Sequence, residues 1–205
     1  MFVSRRIARP YTGKMDLVME RTHRLAGILS RHGANTRITR VVAGEGAGEI
    51  HVYAQYDNMA AGTAAAAAMM HDPAMQKLLA DREANPAADI IGPEVFRSIW
   101  GEMNPTDTVR MHRTYEMKRS NMKAALEILG EIGVLLKDEP VSLMAGVPVI
   151  ASRMDTMTVV YGFADLHAFG EGVDRVGMSA EFQEMVAKAS DLGTLFESRV
   201  MMKVG

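Results

Sequence analysis

An α+β fold, two copies of one β-α-β-β-α-β unit closed into a single barrel, is what this 205-residue sequence predicts. Three observations carry the prediction. Two amphipathic helices share one apolar pattern in one register. A second pair of helix starts repeats at the same spacing. The segments between the helices alternate apolar and polar residues, as strands do.

The first unit opens with a strand over Phe2 to Arg9, followed by a helix over Lys14 to His32. The stripe of that helix is Met15, Val18, Thr22, Leu25 and Leu29, at steps of three and four, which is the core face of a helix lying on a sheet. Arg37 to Val42 is a β-branched run, Gly44 to Gly48 is a glycine-rich tip, and Ile50 to Tyr56 alternates strictly, so the three form a hairpin. Helix follows again, through the alanine run Ala64 to Ala68 and then from Asp72, an N-cap residue ahead of Pro73 at the first helical position. The run reads as a small-residue face packed closely on the sheet. Val95 to Trp100 is the closing strand.

The second unit repeats this plan. Val109 to Met117 is its first strand, and Asn121 to Leu136 its first helix, with the stripe Met122, Ala125, Leu129, Ile132 and Leu136. Met122 follows Met15 by 107 positions (122 − 15), and every other stripe member keeps that offset. Ser179 stands 107 positions after Asp72 (179 − 72), and both cap a helix whose core positions match: Met75, Leu78 and Leu79 against Phe182, Met185 and Val186. Val141 to Ala151 and Met157 to Phe163 form the second hairpin, and Phe196 to Val204 the last strand. Pro148 inside a strand predicts an edge position or a bulge, because proline cannot donate to the ladder. The division expected is residues 1–101 for the first unit, 102–107 for a turn-rich linker, and 108–205 for the second unit.

A ferredoxin-like unit of this order makes a four-stranded antiparallel sheet with both helices on one face. Its other face must also be covered, and a second sheet covers it. The pattern resembles the dimeric α+β barrel superfamily in a fused, single-chain form. That group includes antibiotic-biosynthesis monooxygenase-like, stress-responsive barrel and NIPSNAP-like families. The resemblance spans nearly the whole chain and rests on element order and repeat register. It implies the fold and a cavity between the sheets, and no particular activity.

Composition narrows the function classes. A net charge of −2 supplies no basic field for nucleic acid or an anionic membrane surface. No apolar run approaches the roughly 18 residues of a membrane span. The arginines at 5 and 6 precede no apolar stretch, so a signal peptide is not expected and the cytoplasm is the default location. The absence of cysteine removes disulfides, thiolate catalysis and Cys-based metal sites. No His-x-His or His-Glu-x-x-His pattern marks a metal, and no bound cofactor is expected. Gly44 to Gly48 joins two strands and precedes no helix, so it is a hairpin tip and no dinucleotide loop. The 18 methionines suit an adaptable core or a soft wall around an apolar ligand.

Strand parity then sorts the side chains. Ile50, Val52, Ala54 and Tyr56 are the apolar face, expected beneath the helices. That leaves His51, Tyr53 and Gln55 facing the space between the sheets. Arg5 and His112 occupy equivalent positions on the opening strands, 107 apart (112 − 5), so both are expected to join them. A histidine suits proton transfer, and an arginine suits a carboxylate or enolate oxygen. The candidate set is therefore His51, Tyr53 and His112 for chemistry, with Arg5 and Gln55 for substrate. The competing reading of each histidine is a hydrogen-bonded or surface side chain. The second unit does not keep the set, since Thr158, Val160 and Gly162 stand at the places of His51, Tyr53 and Gln55, so a site here is single and asymmetric. His23 and His32 are expected at the surface, and Arg110, Arg113, Lys118 and Arg119 read as a solvated strand edge. The functional expectation is a small-molecule-binding barrel, an enzyme on a small organic acid or carbonyl compound without a tightly bound cofactor. Two alternatives stand beside it: a structural barrel whose exposed helices pair with a second chain as a homodimer, and a cofactorless oxygenase or haem-handling barrel.

Overall fold

A computed structural model describes residues 1–204. Eight strands close into one antiparallel barrel in the order β1-β3-β2-β8-β5-β7-β6-β4. They are β1 (Phe2–Pro10), β2 (Asn35–Gly44), β3 (Ile50–Tyr56), β4 (Ala88–Glu102), β5 (Val109–Met117), β6 (Ser142–Ile150), β7 (Thr156–Phe163) and β8 (Gly193–Lys203). Within each half the order is that of a ferredoxin-like sheet, and closure leaves no strand edge unpaired. Pairing also keeps the spacing seen in the sequence. Phe2 faces Tyr56 across β1 and β3, and Val109 faces Phe163 across β5 and β7, each partner displaced by 107 (109 − 2 and 163 − 56).

Two joints hold the halves together. At one, β2 pairs with β8; at the other, β4 pairs with β6. The strand β4 is long because it serves two neighbours, with Ala88 to Arg97 on β1 and Val95 to Glu102 on β6. It thus begins well before Val95 and runs onto Glu102, into the expected linker. Pro148 opposes Phe96 at the β4–β6 joint, beside a register shift between Val95 and Phe96. It is therefore on no edge but beside a bulge in its own strand, where Val149 is the extra residue. Gly44 sits at the other joint at φ +85°, with its α-carbon against Ser198 and Arg199 backbone, where a side chain has no room.

The helices cover the outer faces. In α1 (Met15–Arg31), Val18, Thr22, Leu25 and Leu29 are buried as the stripe requires, and Val52, Ala54 and Tyr56 lie beneath in the same cluster as Leu25 and Leu29. In α4 (Met122–Leu135), Ala125, Leu129 and Ile132 play that part over Met157, Val159 and Tyr161. The short helices α2 (Met59–Met70) and α5 (Leu166–Gly172) begin at side-chain caps from Asn58 and Asp165, again 107 apart (165 − 58). After α5 the chain continues as one π turn over Val173–Gly177. Asp72 and Ser179 cap α3 (Pro73–Ala84) and α6 (Ala180–Ser190) through Ala74 N–H and Phe182 N–H.

Three local expectations are corrected. The Ala64 to Ala68 run is mostly exposed, with Ala65 alone buried, because α2 touches the sheet along a narrow line. His32 does not face solvent freely: its Nε2 lies 2.9 Å from Asp72 Oδ2 and ties the end of α1 to the cap of α3. Arg110 and Arg113 are half-buried, Arg110 on the inner face of β5, so they form no solvated edge. Lys118 and Arg119 are exposed, as expected.

Candidate functional site

Glu49, just ahead of β3, stands in line with His51 and Tyr53 on the inner face of that strand, because residues two apart on an extended chain share a side. His51 is fully buried. Its Nε2 lies 2.9 Å from Glu49 Oε2, and its Nδ1 lies 3.2 Å from the Tyr53 hydroxyl. Burial pushes His51 down to about 4, against the hydrogen bond to Glu49 that favours the cation. Burial works to raise Glu49, but the hydrogen bonds from His51 and Arg9 outweigh it and hold the carboxyl at about 2. At neutral pH the pair is therefore a carboxylate and a neutral imidazole. A carboxylate only accepts, so Nε2 carries the proton and Nδ1 is the acceptor for the Tyr53 O–H. Met201 Sδ, at 3.4 Å, is a second and weaker acceptor for that hydroxyl.

Strand pairing brings the other candidates to this line. Arg5 opposes Tyr53 across β1 and β3. Its guanidinium meets Glu94 Oε2 at 2.5 Å and lies 4.8 Å over the Phe96 ring. His112 comes from the far half, its ring 6.1 Å from that of Tyr53. Burial drives the His112 imidazole well below its ordinary range, and His51, Arg110, Arg199 and Arg5 add to that. Gln55 is on the same face but one step further along, opposite Val3 and Asn35, away from the relay. His51, Tyr53, Arg5 and His112 thus converge, and Gln55 does not.

Several neighbours escaped the sequence reading. Arg199, 5% exposed, donates to Glu49 Oε2 at 3.4 Å and also pairs with Glu197. Glu94 accepts from Arg5 and from the Ser152 N–H and hydroxyl. Arg37 opposes Tyr53 on β2, and Arg110 opposes Met201 on β5. Burial lowers Arg37 to about 10, with the charge of Arg110 acting in the same direction. Tyr53 is raised by burial, while Arg5, Arg199 and Arg110 draw it back toward ionisation. The signal for Glu49 was present, since Glu49, His51 and Tyr53 alternate on one face. The signal for Arg199 was the alternation of Glu197, Arg199 and Met201 along β8.

The barrel interior is therefore a charged, hydrogen-bonded lining and no dry apolar core. Two open cavities flank it. One of about 390 Å³ lies between the β1–α1 turn and the β2–β3 hairpin and reaches Arg9 and Glu49, whose side chains meet at 2.6 Å. Glu49 thus borders this cavity and holds His51 on its other side. The second, about 840 Å³, lies outside the barrel between the β4–β6 joint and the start of α4, among Ile99, Met122, Leu126 and Val147 with Arg97 and Arg119. Among the described residues no group of three or more acidic or histidine side chains is arranged to hold a metal ion. Among the described residues no helix is long and apolar enough to cross a membrane.

No family model and no curated protein matches the sequence. Solved structures do match in shape. A proposed monooxygenase of Fusobacterium nucleatum is 9% identical, with TM-score 0.68 over 100% of this chain and 92% of that one. An anthrone oxidase-like protein is 10% identical, with TM-score 0.67 over 100% and 91%. A ferredoxin-fold protein of Listeria monocytogenes, related to antibiotic biosynthesis monooxygenases, is 8% identical, with TM-score 0.51 over 100% and 96%. The likeness covers both units and is one of fold: a closed antiparallel barrel of two ferredoxin-like halves in a single chain.

Proposed function

We propose that the chain is a small-molecule-binding barrel that moves a proton on a small organic acid or carbonyl compound in its interior. The observation that carries this reading is the buried line Glu49–His51–Tyr53 with arginines on either side of the phenol. Such a line costs stability and returns nothing to packing, since an apolar set of equal volume fills a barrel as well. Groups of this kind, perturbed by burial and by one specific partner, mark functional sites more often than structural ones.

Each residue takes a role from its geometry. Tyr53 is the group that exchanges a proton with the ligand. His51 receives that proton at Nδ1 from the Tyr53 oxygen and returns it by the same path. Glu49 is a positioning residue: it fixes the Nε2–H tautomer and stabilises the imidazolium while the proton is there. Arg5 faces the oxygen on which negative charge grows when a carbon next to a carbonyl gives up its proton. No electron changes hands and no bond to oxygen forms, so the cycle needs no co-reactant. The fold likeness to oxygenases supports a ligand in such a barrel and leaves the reaction to be measured.

The test is hydrogen–deuterium exchange at carbon. Enolisable keto acids and ketones are incubated with the protein in D2O and followed by proton NMR, with dissolved oxygen recorded in parallel. Accelerated exchange that falls roughly 100-fold or more in H51Q and in Y53F supports the proposal. Oxygen uptake without exchange, or no reaction across the panel, retires it.

A further inference from the structure

Four arginines face the barrel interior, and they fall into two kinds. Arg5 is paired with Glu94, and Arg199 with Glu49 and Glu197. Arg37 and Arg110 have no ion pair among the described residues. Arg37 donates to the backbone carbonyl of Asp107, and the Nε of each, like that of Arg5, is buried without a partner. The two meet at Asp107: Arg37 donates to its carbonyl, and Arg110 pairs across β5 and β7 with Gly162, whose α-carbon abuts the Asp107 carboxylate. The Asp107 carboxyl is nearby but committed elsewhere, since Ser142 Oγ donates to it and Gly162 leaves it room. A guanidinium cannot relieve such a position by losing its proton, and the Asp107 carboxylate beside the two arginines supplies one negative charge against two positive ones. The other two arginines show that this same interior supplies carboxylates where a pair is wanted.

We propose that Arg37 and Arg110 form a seat for one oxyanion, the carboxylate or phosphate group of the ligand. Two planar forks from β2 and β5 match an oxyanion with paired oxygens, and the rigid strands fix them before it arrives. The seat rests on the reading of the barrel interior as a ligand site, and it narrows that ligand. Arg37 stands directly opposite Tyr53, so the seat and the proton-handling phenol are neighbours across one strand pair. Adjacent strands are about 5 Å apart, so few carbons separate the oxyanion from the reacting carbon. A short keto acid or phosphorylated carbonyl compound fits, and a long-chain acid does not.

Thermal unfolding and titration calorimetry test the seat with inorganic phosphate, sulfate and succinate, each against sodium chloride at equal ionic strength. The expectation is saturable stabilisation of the wild-type protein. R37M and R110M each weaken binding roughly tenfold or more, the loss expected when a charged hydrogen bond is removed. R110M, freed of an unpaired charge, unfolds without added anion no earlier than wild type. Succinate acting alone assigns a carboxylic acid, and phosphate acting alone assigns a phosphorylated compound. No effect beyond chloride overturns the seat, and so does binding that survives in both variants. H51Q separates this from the proton-transfer reading, because it leaves anion binding intact while exchange at carbon is lost. Anion binding without any exchange keeps the seat and removes the proposed chemistry; exchange without anion binding does the reverse.

Discussion

Lowering the pH from 7 to 5 should destabilise this protein through His51. The unfolded chain binds a proton on that residue near 6.5, while in the folded barrel burial holds it at about 4. Above 6.5 both states carry neutral imidazole and stability is full. Between 6.5 and 4 only the unfolded state is protonated, so each pH unit removes about 1.4 kcal/mol. From pH 7 to 5 the loss from His51 alone is about 2 kcal/mol, a large part of the margin of an ordinary domain. His112, lowered in the same direction by burial, adds to it with the same sign. Glu49, held at about 2, brings a second loss that begins only below its unfolded value of 4.5. The assay is urea unfolding at pH 7, 6 and 5 for wild type and H51Q, whose amide still donates to Glu49. H51Q should lose about 1.4 kcal/mol per pH unit of the slope below 6.5. Stability that is flat or rising toward pH 5, or an H51Q slope equal to wild type, refutes the reasoning.

Three further outcomes follow from packing and charge. Leu29→Ala empties a fully buried position under α1 and should cost about 2–5 kcal/mol in chemical denaturation. Gly162→Ala drives a methyl group into Asp107, Ser142 and Met103, so a loss of about 1–3 kcal/mol and a lower melting temperature are expected; unchanged stability contradicts the close approach there. Arg199→Met removes the partner of half-buried Glu197 and one donor to buried Glu49, which keeps Arg9 and His51, and should cost about 1–3 kcal/mol by the same denaturation assay, in contrast to Arg110→Met, which breaks no pair.

Much of the fold was legible because each element repeats a local period. The helical stripes beginning at Met15 and Met122 and the caps at Asp72 and Ser179 set helix faces that the structure keeps. Parity on β3 placed His51 and Tyr53 inside, because Val52, Ala54 and Tyr56 had one apolar surface to cover. What parity could not show was partnership across the barrel. Arg110 read as a surface cation because its neighbours in sequence are charged, yet closure turns it toward Tyr53 from the other half. Arg199 reaches Glu49 from 150 residues away, a contact that exists only after β2 and β8 join. The long β4 was hidden because Gly92-Pro93 interrupts it, and its pairing with β1 passes the break through the register shift at Arg5 to Ile7. Gln55 shares the face of Tyr53 but sits one pair further along β3, opposite Val3 and Asn35.

The most direct measurement is the imidazole nitrogen NMR spectrum of the six histidines, recorded at pH 7 while a short keto acid is titrated in. The account predicts a neutral His51 with its proton on Nε2. It also predicts that the His51 and His112 signals move together and saturably, while exposed His23, His71 and His167 stay in place. A protonated or Nδ1–H His51, or interior signals that no acid moves, contradicts the claim that this barrel holds its ligand against a Glu49–His51–Tyr53 relay.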